Sequence, residues 1–133
     1  MAATRPERIL IVDDDPGVTR LLRSLFESAG YQVHAELDGI GAIRYAAEEQ
    51  PDLIILDLRL PDMDGFEVCK TMRKVFLPWS VPIVMLTGLD SPVDQLRGFA
   101  CGADAYLTKP CELHQLLRTI ERMLGETATA GSA

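Results

Sequence analysis

The chain has few cysteines and no long apolar run. Its three cysteines, Cys69, Cys101 and Cys111, are not closely paired in the sequence, so we expect neither a disulfide framework nor a zinc site. No stretch approaches the roughly 20 apolar residues that a membrane-spanning helix needs, and the N-terminus has too short an apolar run for a signal peptide. We therefore expect a cytoplasmic protein with no membrane partner.

Positive charge is also scarce. The 133 residues contain 13 Lys and Arg against 20 Asp and Glu, a formal net charge of -7, and the basic residues form no stripe. Proteins bind nucleic acids and anionic membranes through clustered positive charge. The composition therefore argues against direct binding to nucleic acid, while the length and the hydrophobic share of 47% suit one globular domain with its own core.

Apolar runs alternate with helical periodicities along the chain. The predicted strands are residues 8–13, 31–37, 53–56, 82–88 and 105–110. The predicted helices are residues 18–30, 40–50, 66–76, 91–103 and 112–124. This alternation predicts an α/β fold, in which helices cover both faces of a parallel sheet. The most economical arrangement is a doubly wound, flavodoxin-like (βα)5 three-layer sandwich with strand order 2-1-3-4-5.

The domain limits follow from the same pattern. We expect an N-terminal extension over residues 1–6, the domain over 7–124, and a flexible tail or linker start over 125–133, where the sequence is small and polar. Ser91 is the expected N-cap of the fourth helix. Trp79 precedes the fourth strand, so we expect it at the amino edge of the sheet, on the order of 15 to 20 Å from the carboxyl edge.

Polar residues that can carry chemistry follow four of the predicted strands. Asp13 and Asp14 end the first strand, Asp57 the third and Thr87 the fourth, while Lys109 lies in the loop at the end of the fifth. In the proposed order the first and third strands are neighbours at the point where the winding reverses, which is where open α/β sheets bind ligands. We therefore expect the three carboxylates to converge in one crevice.

Such a cluster of acids needs compensating charge. Two carboxylates about 4 Å apart repel each other by roughly 4 kcal/mol at an effective dielectric constant of 20. A hard divalent cation removes that repulsion, and Mg²⁺ prefers oxygen ligands of this kind. The pattern therefore favours a Mg²⁺ site.

Simpler explanations exist for each residue taken alone. Acids after a strand can serve only as helix N-caps, a threonine there as a turn residue, and a lysine as a solvated surface charge. Two other site classes fit less well. A phosphatase of the haloacid dehalogenase type needs a second acid two residues after its nucleophile, where this chain has Arg59, and a dinucleotide site needs GxGxxG where the chain has DDDPGV.

The ordered motifs VDDD, LDLRLPDMDG, MLTG and YLTKP resemble the receiver domain of the response regulators of two-component signalling. The resemblance covers about residues 7–124. It implies a Mg²⁺ site and a defined role for each residue of that site. By analogy, Asp57 is the phosphoacceptor, Asp14 a direct metal ligand, and Asp13 a ligand that acts chiefly through water. The backbone carbonyl of Arg59 is the remaining protein ligand.

The resemblance also implies the groups that bind the phosphoryl group and pass on the signal. Thr87 supplies a hydroxyl group to the phosphoryl oxygens, and Lys109 is their cationic partner. Tyr106 is the aromatic switch residue that responds to Thr87. The bond between Lys109 and Pro110 is expected to be cis.

The implied function is phosphotransfer signalling. The domain would accept a phosphoryl group from a sensor histidine kinase or a histidine phosphotransfer protein, and it would catalyse only its own phosphorylation and dephosphorylation. The face made by the fourth helix, fifth strand and fifth helix would switch, and a homodimer through that face is one assembly that the resemblance allows. The alternative is a receiver-like interaction domain that is not phosphorylated. Such a domain would lack one or more of five active-site residues, and this chain has all five, namely Asp13, Asp14, Asp57, Thr87 and Lys109.

Overall fold

The computed structural model describes residues 6–75 and 80–132, with side chains up to residue 125. The described part contains five strands, β1 (Arg8–Val12), β2 (Gln32–Glu36), β3 (Leu53–Leu56), β4 (Ile83–Thr87) and β5 (Ala105–Thr108). The helices that alternate with them are α1 (Pro16–Ser28), α2 (Gly39–Glu49), α3 (Gly65–Val75), α4 (Pro92–Ala100) and α5 (Leu113–Ser132).

One parallel sheet holds these strands in the order β2-β1-β3-β4-β5. Successive residues of a strand point to opposite faces, and both faces of the central strands are buried. Ile9 and Ile11 of β1 pack in the core that contains α1 and α5, whereas Leu10 and Val12 pack in the core that contains α2 and α3. The predicted doubly wound, flavodoxin-like sandwich is confirmed.

Two helix starts illustrate how local sequence sets the elements. Ser91 caps α4 as expected, its side chain accepting a hydrogen bond from the Asp94 amide at 3.1 Å. Helix α1 begins at Pro16, two residues before the predicted start, because proline suits a first helical position and Asp15 caps the helix. The Asp15 carboxylate accepts from the Gly17 amide at 2.8 Å. Of the three acids after β1, Asp15 is therefore the N-cap of α1.

The last helix is longer than predicted. We predicted that it would end at residue 124, but α5 continues to Ser132, and the flexible tail or linker start over residues 125–133 stays a prediction. The segment contains no proline, its alanines and glutamate favour helix, and a single glycine such as Gly125 costs only about 1 kcal/mol in a helix interior. The small and polar residues after residue 124 are therefore compatible with a continuing helix.

Two further expectations concern the position of Trp79 and the absence of a membrane-spanning helix. Trp79 lies outside the described residues, so its expected place at the amino edge stays a prediction. Between residues 6 and 132, leaving aside 76–79, no helix has both the length and the apolar character required to cross a membrane.

Arg73 of α3 fastens the amino edge of the sheet. Its guanidinium donates to the carbonyl of Gly102 at 3.0 and 2.7 Å and to the carbonyl of Val81. It also pairs with Asp104 at 2.8 Å, and the same Asp104 oxygen accepts from the Ile83 amide. One side chain thus links α3 to the segment that enters β4 and to the loop that precedes β5.

We expect Arg73→Ala to lower the free energy of unfolding by about 2 kcal/mol, because it leaves several partly buried acceptors without their charged donor. Urea denaturation measures this change. The control is Lys70→Ala, whose exposed pair with Glu67 at 3.6 Å should contribute less than about 0.5 kcal/mol. Equal losses in the two variants would contradict the assigned role of Arg73.

Candidate functional site

Backbone pairing brings the acids that end neighbouring strands together. The Asp57 amide donates to the Val12 carbonyl at 2.9 Å, and the Asp13 amide donates to the Glu36 carbonyl at 3.1 Å. Asp13 and Asp57 are 3% and 6% exposed, while Asp14 is exposed. Carboxylate oxygens of Asp13, Asp14 and Asp57 all lie within 4.8 Å of one another. The predicted convergence of the three acids is confirmed.

Lys109 lies inside this cluster. Its Nζ is 2.6 Å from Asp13 Oδ2 and 3.1 Å from Asp57 Oδ2. The lysine is held there because its amide, directly after β5, donates to the Thr87 carbonyl at 2.8 Å. The bond between Lys109 and Pro110 is cis. Sequence reasoning treated the acids as uncompensated and missed this contact. One ammonium group against three carboxylates still leaves negative charge in excess.

The protonation equilibria reflect both burial and pairing. Burial raises the pKa of Asp13 above its ordinary value of 3.8, against the opposing effect of Lys109 and of the Asp15 amide. Burial alone would lower the pKa of Lys109, but its hydrogen bonds to Asp13 and Asp57 outweigh that effect, and its pKa is raised. Lys109 is therefore positively charged at neutral pH.

The chain reverses direction immediately after Asp57. Arg59 and Asp64 form an antiparallel bridge, and the Gly65 amide donates to the Leu58 carbonyl at 3.0 Å. A Cβ atom on Gly65 would lie 2.5 Å from both the Asp57 carbonyl oxygen and the Leu58 Cα, so only glycine fits. The tight loop turns the Arg59 amide back toward Asp57, where it donates to Oδ1 at 3.3 Å.

Thr87 and Tyr106 are connected through the backbone of Leu89. Thr87 is fully buried at the end of β4, and its Oγ1 accepts from the Leu89 amide at 3.3 Å. Tyr106 is half-buried on β5, and its hydroxyl group donates to the Leu89 carbonyl at 2.7 Å. The Tyr106 ring lies against Gly98, where a Cβ atom would be 2.8 Å from it. The sequence indicated both side chains but not the peptide that joins them.

The donor set fits a hard divalent cation. Three carboxylates supply only oxygen atoms, two of them come from buried residues, and negative charge remains in excess after pairing with Lys109. Oxygen ligands and excess negative charge are what Mg²⁺ requires, and its reluctance to lose water suits a site that is open to solvent at Asp14. The described residues therefore fit the expected Mg²⁺ site.

Comparison with known proteins decides the family. A family model described as the response regulator receiver domain matches residues 9–121. The chain belongs to the response regulator receiver domain family. This confirms the resemblance of the ordered motifs, and the receiver domain therefore occupies most of the chain.

Individual relatives agree with this assignment. The receiver domain is 44% identical over 120 residues to RpaA of Synechocystis sp., described as a DNA-binding dual master transcriptional regulator. The match covers 90% of this chain and 50% of that regulator, so the chain spans half the length of this relative.

Solved structures of other receiver domains superpose closely. The BeF3-activated N-terminal receiver domain of RstA from Klebsiella pneumoniae is 34% identical, with a TM-score of 0.83 over 89% of this chain and 98% of that one. A CheY-like receiver domain protein from Methanospirillum hungatei is 30% identical, with a TM-score of 0.88 over 94% and 98% of the two chains.

We expect Lys109→Met to lower the free energy of unfolding of the metal-free protein by about 2 kcal/mol at neutral pH, since it leaves Asp13 and Asp57 buried without their cation. The loss should shrink as the pH falls toward 3.8. Because the folded-state pKa of Asp13 is raised, its ionised form destabilises the native state above that pKa and no longer does so below the ordinary value.

Urea denaturation over this pH range measures the difference between the variant and the wild type. The matched control is Lys74→Met, which removes one positive charge from an exposed position. A loss for Lys109→Met that is independent of pH would mean that the lysine contributes packing rather than charge.

Proposed function

We propose that this receiver domain accepts a phosphoryl group from a phosphohistidine onto Asp57 with the help of Mg²⁺. One observation carries the proposal, namely that the buried Asp57 carboxylate lies in an acidic cluster and also contacts the Lys109 ammonium group at 3.1 Å. A structural ion pair needs one acid and one base. Two further acids at the same point are unfavourable unless a charged ligand completes the site.

The proposed reaction is a displacement at phosphorus. A carboxylate oxygen of Asp57 forms a bond to phosphorus while the bond from phosphorus to the histidine nitrogen breaks, and that nitrogen keeps the electron pair and takes a proton from solvent. A carboxylate is a weak nucleophile, so the rate depends on positioning and on neutralising the phosphoryl oxygens. In the proposed reaction, the Lys109 ammonium group neutralises one of these oxygens and the Thr87 hydroxyl group donates a hydrogen bond to another.

The metal would be held by Asp13, Asp14, Asp57 and the backbone carbonyl of Arg59. When bound, Mg²⁺ supplies positive charge that draws the anionic phosphoryl group to a carboxylate. The product is an acyl phosphate, which water hydrolyses. The proposed domain thus carries a signal that lasts as long as the acyl phosphate. It catalyses only its own phosphorylation and dephosphorylation and has no separate substrate.

The proposed switch passes from Thr87 to Tyr106 through the backbone of Leu89. A phosphoryl group that draws Thr87 toward it would weaken the bond from the Leu89 amide, and the Leu89 carbonyl holds the Tyr106 hydroxyl group. A new charge can only bias an element that already has two arrangements. We propose that this element is Tyr106 together with α4, and that the face of α4, β5 and α5 carries the output.

The α4 surface supports a protein partner or a second copy at that face. Val93 and Leu96 are each 71% exposed, and Phe99 is 49% exposed. Apolar side chains on one exposed helix favour a protein contact when they gather on one side. A homodimer through α4, β5 and α5 is the assembly we propose for the phosphorylated form. We do not expect the described residues to bind nucleic acid directly, because the net charge of the chain is -7.

A groove beside the site suits the phosphoryl donor. A cavity of 270 Å³ lies between α1 and the start of α5, lined by apolar side chains such as Val18, Leu21 and Leu113, and it reaches Lys109. Leu21 is 52% exposed. We propose that an amphipathic helix of a sensor histidine kinase or histidine phosphotransfer protein docks there. A sensor histidine kinase takes its phosphoryl group from ATP, which is made available in the cytoplasm, so the cytoplasm is the proposed compartment.

Incubation with Mg²⁺ and acetyl phosphate should add the mass of one phosphoryl group to the wild-type protein and none to Asp57→Asn. Intact-protein mass spectrometry measures the gain. The physical reason is that an amide nitrogen or oxygen does not replace the carboxylate nucleophile. A wild type that takes up no phosphoryl group would favour the alternative, an interaction domain that is not phosphorylated, and equal labelling of both proteins would place the acceptor elsewhere.

Millimolar Mg²⁺ should raise the melting temperature of the wild type, because a ligand that binds only the folded state stabilises it by mass action. Asp14→Ala should abolish the rise without destabilising the metal-free protein, since it relieves repulsion. Differential scanning fluorimetry measures both effects.

The neighbouring Asp15 provides the matched control. Asp15→Ala removes the N-cap of α1 and should lower stability by about 1 kcal/mol with or without metal, while the rise caused by Mg²⁺ persists. If Asp14→Ala behaved like Asp15→Ala, Asp14 would be a structural residue.

A further inference from the structure

The first turn of α2 is capped by two carboxylates that come from different parts of the chain. Asp38 is the helix's own N-cap and accepts from the Gly41 amide at 2.7 Å. Asp62 lies in the loop between β3 and α3, and its two oxygens accept from the Gly39 amide at 2.7 Å and the Ile40 amide at 2.9 Å. Asp62 thus binds two of the backbone donors that a helix start leaves without an internal partner.

A side-chain contact reinforces this junction. Met63, the next residue of the loop, lies against Gly39 so closely that a Cβ atom there would be 2.3 Å from Met63 Cγ and 2.7 Å from Met63 Sδ. The tip of the loop is therefore seated on the backbone of α2. The hydrogen bonds also lower the pKa of Asp62, which keeps the carboxylate ionised and able to accept both bonds.

The same loop carries the phosphorylation site at its other end. Asp57 and Arg59 form its first arm, and the bridge between Arg59 and Asp64 together with the bond from Gly65 to Leu58 closes its base. A loop that is closed at its base and anchored at its tip can move little. Its anchoring fixes the Arg59 peptide, whose amide lies 3.3 Å from Asp57 Oδ1.

We infer that Asp62 is a positioning residue for phosphorylation, because its carboxylate ties the loop of residues 57–65 to α2 and so fixes the Arg59 peptide beside Asp57. The inference rests on the proposed function of Asp57. Asp62 itself touches neither the acidic cluster nor Lys109 among its hydrogen bonds, so it acts through the loop. Groups that orient a metal site from outside commonly change its affinity or activity by 10- to 100-fold.

The test compares Asp62→Ala with Asp38→Ala. Both variants remove one carboxylate and one negative charge from the first turn of α2, but only Asp62 ties that turn to the loop. We expect similar falls in melting temperature for the two. We expect Asp62→Ala alone to slow phosphorylation by acetyl phosphate by about tenfold and to raise the dissociation constant for Mg²⁺ severalfold.

A readout on the metal-free protein separates positioning from general instability. Amide hydrogen exchange in the peptide that contains residues 58–65 should be faster in Asp62→Ala and unchanged in Asp38→Ala. If the wild type is labelled and the two variants are labelled at equal rates, the inference about Asp62 is overturned and the proposed function stands. If the wild type is not labelled, both are overturned.

Discussion

Repulsion between the carboxylates at the carboxyl edge of the sheet has to be offset by the rest of the fold. Oxygens of Asp13, Asp14 and Asp57 lie within 4.8 Å of one another, and Lys109 compensates only part of their charge. At such distances each pair costs several kcal/mol. The acids stay together because the backbone of the two central strands puts them there, and the buried apolar residues of those strands offset the cost. An arrangement that breaks an electrostatic rule while the surrounding fold obeys its own rules is typical of a functional site.

Loops at this edge connect the site to neighbouring elements of the fold. The Leu89 peptide joins Thr87 to Tyr106, and Arg97 of α4 stacks on the Phe66 ring at 4.1 Å and pairs with Asp64 at 3.4 Å. Helix α4 is therefore in contact with the segment that follows β3 through Arg97 and with Tyr106 through Gly98. In the proposed switch, a change at Asp57 would reach α4 by both routes, one through the backbone of Leu89 and one through the side chains of Arg97, Phe66 and Asp64.

Local patterns were sufficient to predict the fold and the three acids that meet at the edge of the sheet. The unbroken apolar run of β3, the alternation of strands and helices, and acids placed after successive strands led to the correct sheet order and to the correct trio of acids. What the sequence did not indicate were contacts made by long side chains and by backbone groups. The reach of Lys109 to Asp13, the Asp62 bonds to α2 and the Leu89 bridge all depend on loop geometry that no periodicity encodes. The extension of α5 to Ser132 was missed because small residues resemble a linker in composition although they are compatible with helix.

We propose that Asp57 is the residue that carries the phosphoryl group. The most direct measurement is reductive trapping, in which the protein is incubated with Mg²⁺ and acetyl phosphate, reduced with borohydride, digested and sequenced by mass spectrometry. Borohydride converts an aspartyl phosphate to homoserine and leaves free aspartate unchanged. We expect homoserine at position 57 and at no other aspartate. Homoserine at position 13 or 14, or its absence from protein that has gained a phosphoryl group, would contradict it.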